Sequence, residues 1–173
     1  KSLSIGSKRL TALPANLGQM RQLESFSLDD APLETLPASI GEMRQLKFLG
    51  LYGVSLKTLP AAIGKLSSLE WLEIFYCPLQ SLPEEIGELE SLTYCDIKNS
   101  QLASLPAGFA KLPRLESLIL ENNRFTTLPL AICGLQYLRH LDMFAEPLNT
   151  LPAEIGKLTS LQSIWLQECE ISS

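Results

Sequence analysis

Leu36-Pro37-Ala38-Ser39-Ile40-Gly41-Glu42-Met43 returns along the chain with small changes, and its spacing decides the fold. The Leu-Pro step recurs at Leu13-Pro14, Leu36-Pro37, Leu59-Pro60, Leu82-Pro83, Leu105-Pro106, Leu128-Pro129 and Leu151-Pro152. Each pair lies 23 residues after the last, with no insertion. Self-similarity at a fixed period of about 20–50 residues is the mark of a solenoid. With Leu23 as position 1, position 4 reads Leu3, Phe26, Leu49, Leu72, Cys95, Leu118, Leu141 and Ile164. Position 6 reads Ile5, Leu28, Leu51, Ile74, Ile97, Leu120, Met143 and Leu166. Both alternate with polar or variable residues, which is the period of a strand. Positions 15 to 22 begin with Pro, tolerated at a first helical position, and place apolar residues such as Ile63 and Leu66 on one short helical face. Gly at position 19 limits each helix to a turn or two.

The expected architecture is α/β: a curved solenoid of about seven repeats, with a parallel sheet on the concave face and short helices on the convex face. Such a unit cannot bury its apolar face alone, so stability comes from stacking. Residues 1–173 form a single domain with no linker. Both ends lack the atypical capping unit that solenoids carry, so the domain is expected to be excised from a longer protein.

Leucine fills 36 of the 173 positions, and the net charge is −5. An acidic chain argues against nucleic acid, whose phosphates reward basic patches. No apolar run approaches the roughly 18 residues of a membrane helix. Cys77 and Cys169 stand four repeats apart, too far to bridge at sheet spacing. Separated thiols, and no Asn-x-Ser/Thr acceptor, favour a reducing cytoplasmic compartment. No two Cys or His have zinc-ligand spacing, and no metal or other cofactor is expected.

Eight of the twelve aromatic residues fall on positions that face away from the core on the sheet side: Phe48, Tyr52, Trp71, Phe75, Tyr76, Tyr94, Phe144 and Trp165. Glu73, Asp96 and His140 share that face. Its charged residues sum to −6 and the rest of the chain to +1. A contiguous aromatic surface marks an interaction site, and Trp and Tyr are enriched at binding hot spots. The reading is a monomer that binds a protein partner with basic and apolar features through these eleven residues. His140, Asp142 and the adjacent Ser117 and Ser163 name the atoms of a catalytic triad, but an open sheet supplies no oxyanion donors and alternate residues sit about 6.6 Å apart. Phosphate loops and nucleophile elbows are absent, so the domain is not expected to be an enzyme.

Positions 1 to 11 match L-x-x-L-x-L-x-x-N/C-x-L, and the chain resembles the leucine-rich repeat family, in its intracellular 23-residue L-P-x-x-I-G-x-L type. The family's Asn at position 9 reads Lys8, Ala31, Val54, Cys77, Ser100, Asn123, Glu146 and Cys169 here, from which a looser or water-bridged turn is expected. The strict unit with few Asn is most similar to repeat domains of plant-pathogen bacterial effectors. That resemblance implies a substrate-recognition role in the host cytosol, in some members fused to a ubiquitin ligase. Alternatives are the sensor region of a plant intracellular immune receptor, suggested by Cys at position 9, or a signalling scaffold.

Overall fold

The computed structural model describes residues 1–169. Eight strands form one parallel sheet in chain order: β1 (Ser2–Gly6), β2 (Ser25–Asp29), β3 (Phe48–Tyr52), β4 (Trp71–Phe75), β5 (Tyr94–Lys98), β6 (Ser117–Ile119), β7 (His140–Asp142) and β8 (Ser163–Trp165). Because the repeat length never varies, residues 23 apart pair directly: Phe48 with Trp71, Trp71 with Tyr94, Leu49 with Leu72. The apolar positions therefore stack into continuous columns, and Leu28, Leu51, Ile74, Ile97 and Leu120 are all fully buried. Phe26, Phe109 and Phe125 join this core, leaving the other aromatics to the surfaces.

Between strands the chain makes 3₁₀ turns of three to five residues, such as Ala38–Glu42, Ala61–Lys65 and Glu84–Glu88. Pro precedes these helices in extended backbone (Pro37 φ −65, ψ 144) and does not occupy their first turn. Its locked φ and its carbonyl start the helix, since Ile40 N–H donates to Pro37 O at 3.0 Å and Ile63 N–H to Pro60 O at 2.9 Å.

The glycine at position 19 has a different reason from the one its spacing suggests. A Cβ on Gly41 would lie 2.5 Å from Ala62 O, and one on Gly87 2.0 Å from Gly108 O. It is the close approach of the next unit's helix, not helix length, that excludes a side chain there.

Position 9 is likewise closed, not loose. Ala31, Val54 and Cys77 are buried. Asn123 donates to Ile97 O at 2.9 Å and to Glu121 O at 3.2 Å, while the Cys77 thiol reaches Leu51 O at 3.5 Å. In the following unit Glu146, 1% exposed, accepts from the backbone N–H of Asn123 and, at 2.9 Å, from that of Phe125. Packing by apolar and thiol side chains replaces the amide ladder where Asn is missing.

Position 8 has left-handed backbone after every strand but β1. Asp30, Gly53, Tyr76, Asn99, Asn122, Ala145 and Glu168 have φ between 50 and 61. The turn keeps the ladder going, because Tyr76 N–H donates to Lys98 O at 3.1 Å and Asn99 N–H to Glu121 O at 3.0 Å.

Candidate functional site

Three parallel rows of side chains run across the concave face, one for each outward position of the strands. The first holds Phe48, Trp71 and Tyr94; the second Gly50, Glu73 and Asp96; the third Tyr52, Phe75 and Lys98. Trp71 and Tyr94 stack with ring centroids 4.5 Å apart, and Tyr52 and Phe75 with centroids 5.3 Å apart. Such tilted pairs are favourable beyond the area they bury. The carboxylates of Glu73 and Asp96 thus lie in register on neighbouring strands, with an aromatic pair on either side.

Gly50 makes the second row asymmetric. A Cβ there would stand 2.6 Å from the Tyr52 hydroxyl, so the Tyr52 ring occupies the space a side chain would take. From that place its hydroxyl donates to Glu73 Oε2. Tyr94 does the same for Asp96, its hydroxyl donating to Oδ2 at 3.1 Å. Burial and the neighbouring carboxylates push both phenols above their ordinary range.

Asp96 is not the exposed acid its position suggests. It is 2% exposed, and its Oδ1 has no hydrogen-bond partner. Burial lifts its carboxyl to about 6, against the opposing pull of Lys98 and the Tyr94 hydroxyl. Lys98 Nζ bridges Asp96 Oδ2 at 3.5 Å and Glu121 Oε2 at 3.2 Å, and lies 5.8 Å from the Phe75 ring centroid. Burial pulls the ammonium down, but the two carboxylates outweigh it and raise it.

The sequence places eight of the nine surface aromatics on this face, Tyr137 being the exception, and the structure refines what each offers. Trp71, Tyr76 and Trp165 are exposed at 45%, 69% and 57%, whereas Phe48, Tyr52, Phe75, Tyr94 and Phe144 are half-buried. Phe144 and Trp165 meet Glu121, Asp142 and Gln167 around a small hollow of about 220 Å³. His140 lies on the exposed edge, its Nδ1 2.8 Å from Ser163 Oγ. Asp142 does not complete a triad, because its Oδ1 accepts from Phe144 N–H at 2.9 Å.

The net negative charge is also more concentrated than a whole-face sum shows. Along position 2 opposite charges meet on neighbouring strands, pairing the Lys1 amino terminus with Glu24 (3.4 Å), Lys47 with Glu70 (3.9 Å) and Arg139 with Glu116 (3.6 Å). That row is neutral, three of each sign. The full −6 therefore belongs to positions 5, 7 and 8, where seven acids (Asp29, Asp30, Glu73, Asp96, Glu121, Asp142, Glu168) face one base, Lys98. Sequence reasoning passed over Gly50 as an organiser and Lys98 as a bridge. The 23-residue offset that sets Gly50 beside Glu73 was the available signal.

A leucine-rich repeat sequence family matches residues 90–148. Among solved structures, a leucine-rich repeat protein of Leptospira interrogans superposes with a TM-score of 0.83 at 29% identity, over 96% of this chain. The fold is a leucine-rich repeat solenoid. The leucine-rich repeat domain of the type III effector XopL has a TM-score of 0.80 at 28% identity over 98% of this chain. A third likeness is the leucine-rich repeat ectodomain of the plant membrane receptor kinase GASSHO1/SCHENGEN3 from Arabidopsis thaliana, in complex with CASPARIAN STRIP INTEGRITY FACTOR 2. It has a TM-score of 0.74 and 28% identity over 97% of this chain. The solenoid spans 48%, 69% and 20% of these three chains respectively. A search of curated proteins finds no match. Among the described residues, no helix is long and apolar enough to cross a membrane.

Proposed function

We propose that this solenoid is a protein-recognition module whose concave face, centred on Trp71, binds a partner protein. One observation carries the reading: two stacked aromatic pairs flank in-register carboxylates on an open face, whose net charge lies on positions 5, 7 and 8. Exposed aromatic anchors ringed by polar groups are the make-up of binding hot spots. The likeness to the repeat domain of XopL supports a substrate-choosing role in a secreted bacterial effector acting in a host cytosol. The complex of the GASSHO1/SCHENGEN3 ectodomain with CASPARIAN STRIP INTEGRITY FACTOR 2 supports partner binding by a solenoid of this fold.

The test is photo-crosslinking with benzoylphenylalanine at position 71 or, on the convex side, at position 88. A partner caught at position 71 and not at 88 is then titrated against variants. Trp71→Ala should weaken it about thirty-fold, on the order of 2 kcal/mol, and Glu88→Ala less than about two-fold. The reverse pattern, with circular dichroism unchanged, removes the concave-face assignment.

A further inference from the structure

Resting on that reading, we infer that the element recognised at the centre of the face is an arginine side chain on an extended partner segment, seated over Glu73 and Asp96 between the two aromatic pairs.

The charge balance comes first. Glu73 stands in register with Asp96, Lys98 joins Asp96 to Glu121, and Lys98 is the one cation among these three acids. Asp96 Oδ1 is buried and takes no hydrogen bond. A desolvated carboxylate oxygen without a donor is costly, and a charged donor relieves it more than a neutral one does. The neutral row along position 2 does not compete for a cation, so attraction is directed to the rows that hold Glu73, Asp96 and Glu121.

Lys98 already shows what the place accepts. Its ammonium sits between two carboxylates and near the face of Phe75. An incoming cation that takes Asp96 leaves Lys98 its contact with Glu121. The exchange is needed, because Asp96 is 2% exposed and its oxygens are reached only when a neighbouring side chain yields.

The choice of arginine follows from shape. A guanidinium is planar, stacks on aromatic rings and bonds carboxylates through two parallel N–H groups. Trp71 and Tyr94 on one side and Tyr52 and Phe75 on the other supply ring surface, and two carboxylates in register supply paired acceptors. An ammonium uses the charge but not the plane. A metal ion is the weaker reading, since no group of three metal-ligating side chains forms among the described residues.

The experiment is a displayed library of random linear peptides selected on the 173-residue chain, with the Trp71→Ala chain as counter-selection. Recovered peptides are made synthetically and titrated by fluorescence anisotropy. The expected result is an arginine common to the binders. Its replacement by citrulline, neutral and of the same shape, should weaken binding about thirty-fold, and its replacement by lysine about five-fold. Glu73→Gln in the chain should shrink the arginine-over-citrulline preference to less than about ten-fold. Binders lost on Trp71→Ala yet lacking arginine overturn this inference and leave the concave-face function standing. Binders indifferent to Trp71→Ala overturn both. A library that yields no binder counts against the arginine, as does an unchanged preference in Glu73→Gln.

Discussion

Replacing Glu146 by Gln should remove a large part of the protein's loss of stability between pH 5 and pH 8. Glu146 is 1% exposed, and its two oxygens accept hydrogen bonds from the backbone N–H groups of Asn123 and Phe125, one each. Burial lifts its carboxyl from 4.5 to about 7, and those two N–H groups, with the Asn123 side chain, pull only partly the other way. Cys169, at the same position of the next repeat, is a titratable neighbour, and among the described residues no basic side chain offsets the Glu146 charge. The folded protein therefore holds this proton where the unfolded chain has released it. The group's effect on stability is most favourable below pH 4.5, declines through the interval, and is fully unfavourable above about 7. At about 1.4 kcal/mol per pH unit, the interval amounts to on the order of 3 kcal/mol. Gln fills the same volume and does not ionise; it can accept only one of the two N–H groups, a loss that does not change with pH and so lowers its curve without altering the slope. The measurement is urea unfolding followed by circular dichroism at several pH values for both proteins. Asp96, raised to about 6, titrates in the same window but is common to both, so it cancels in the difference. Stability curves that stay parallel from pH 5 to pH 8 would show that the native carboxyl is not held protonated, and the argument would fail.

Three other perturbations probe separate parts of the molecule. Gly87→Ala should destabilise by about 1–3 kcal/mol, because its Cβ would meet Gly108 O at 2.0 Å. Gly156→Ala, with nothing within 4 Å, should be neutral or stabilise by up to about 1 kcal/mol, and thermal melts of the pair check the contrast. A thiol reagent on the native protein should react first with Cys169, the only one of the four cysteines that is not buried. Cys77, pushed up to about 11 by burial, and Cys95, also raised by burial, should react after denaturation. A fragment of two repeats should show no cooperative thermal transition, since each unit buries its apolar side only against neighbours.

The fold was legible because the invariant period carries register directly: once Leu49 is known to face inward, Leu72 must pair with it. The rows of the concave face were legible for the same reason, and Phe48, Trp71 and Tyr94 line up as their spacing requires. What the sequence hid were consequences of contact between units. Gly41 reads as a helix stop until the approach of Ala62 is seen. Asp96 reads as a surface acid because its strand position faces outward, yet large side chains around it close it off from water. The alternation of Lys1, Glu24, Lys47 and Glu70 was visible at 23-residue spacing, and summing the whole face concealed it.

Tyr76 stands at the left-handed position after β4, with φ 56, and is 69% exposed. Three other repeats fill that position with Gly53, Asn99 and Asn122, residue types that adopt the conformation with little strain. A tyrosine there carries strain of about 1 kcal/mol and gains little burial in return. Tyr76→Asn should therefore yield a more stable protein, an improvement that lies within easy mutational reach. Natural selection commonly leaves such gains unused where the residue serves activity. A thermal-shift survey of the repeat surface thus becomes a partner-free way to map it, since the residues whose removal raises the melting temperature are those retained for something other than the fold.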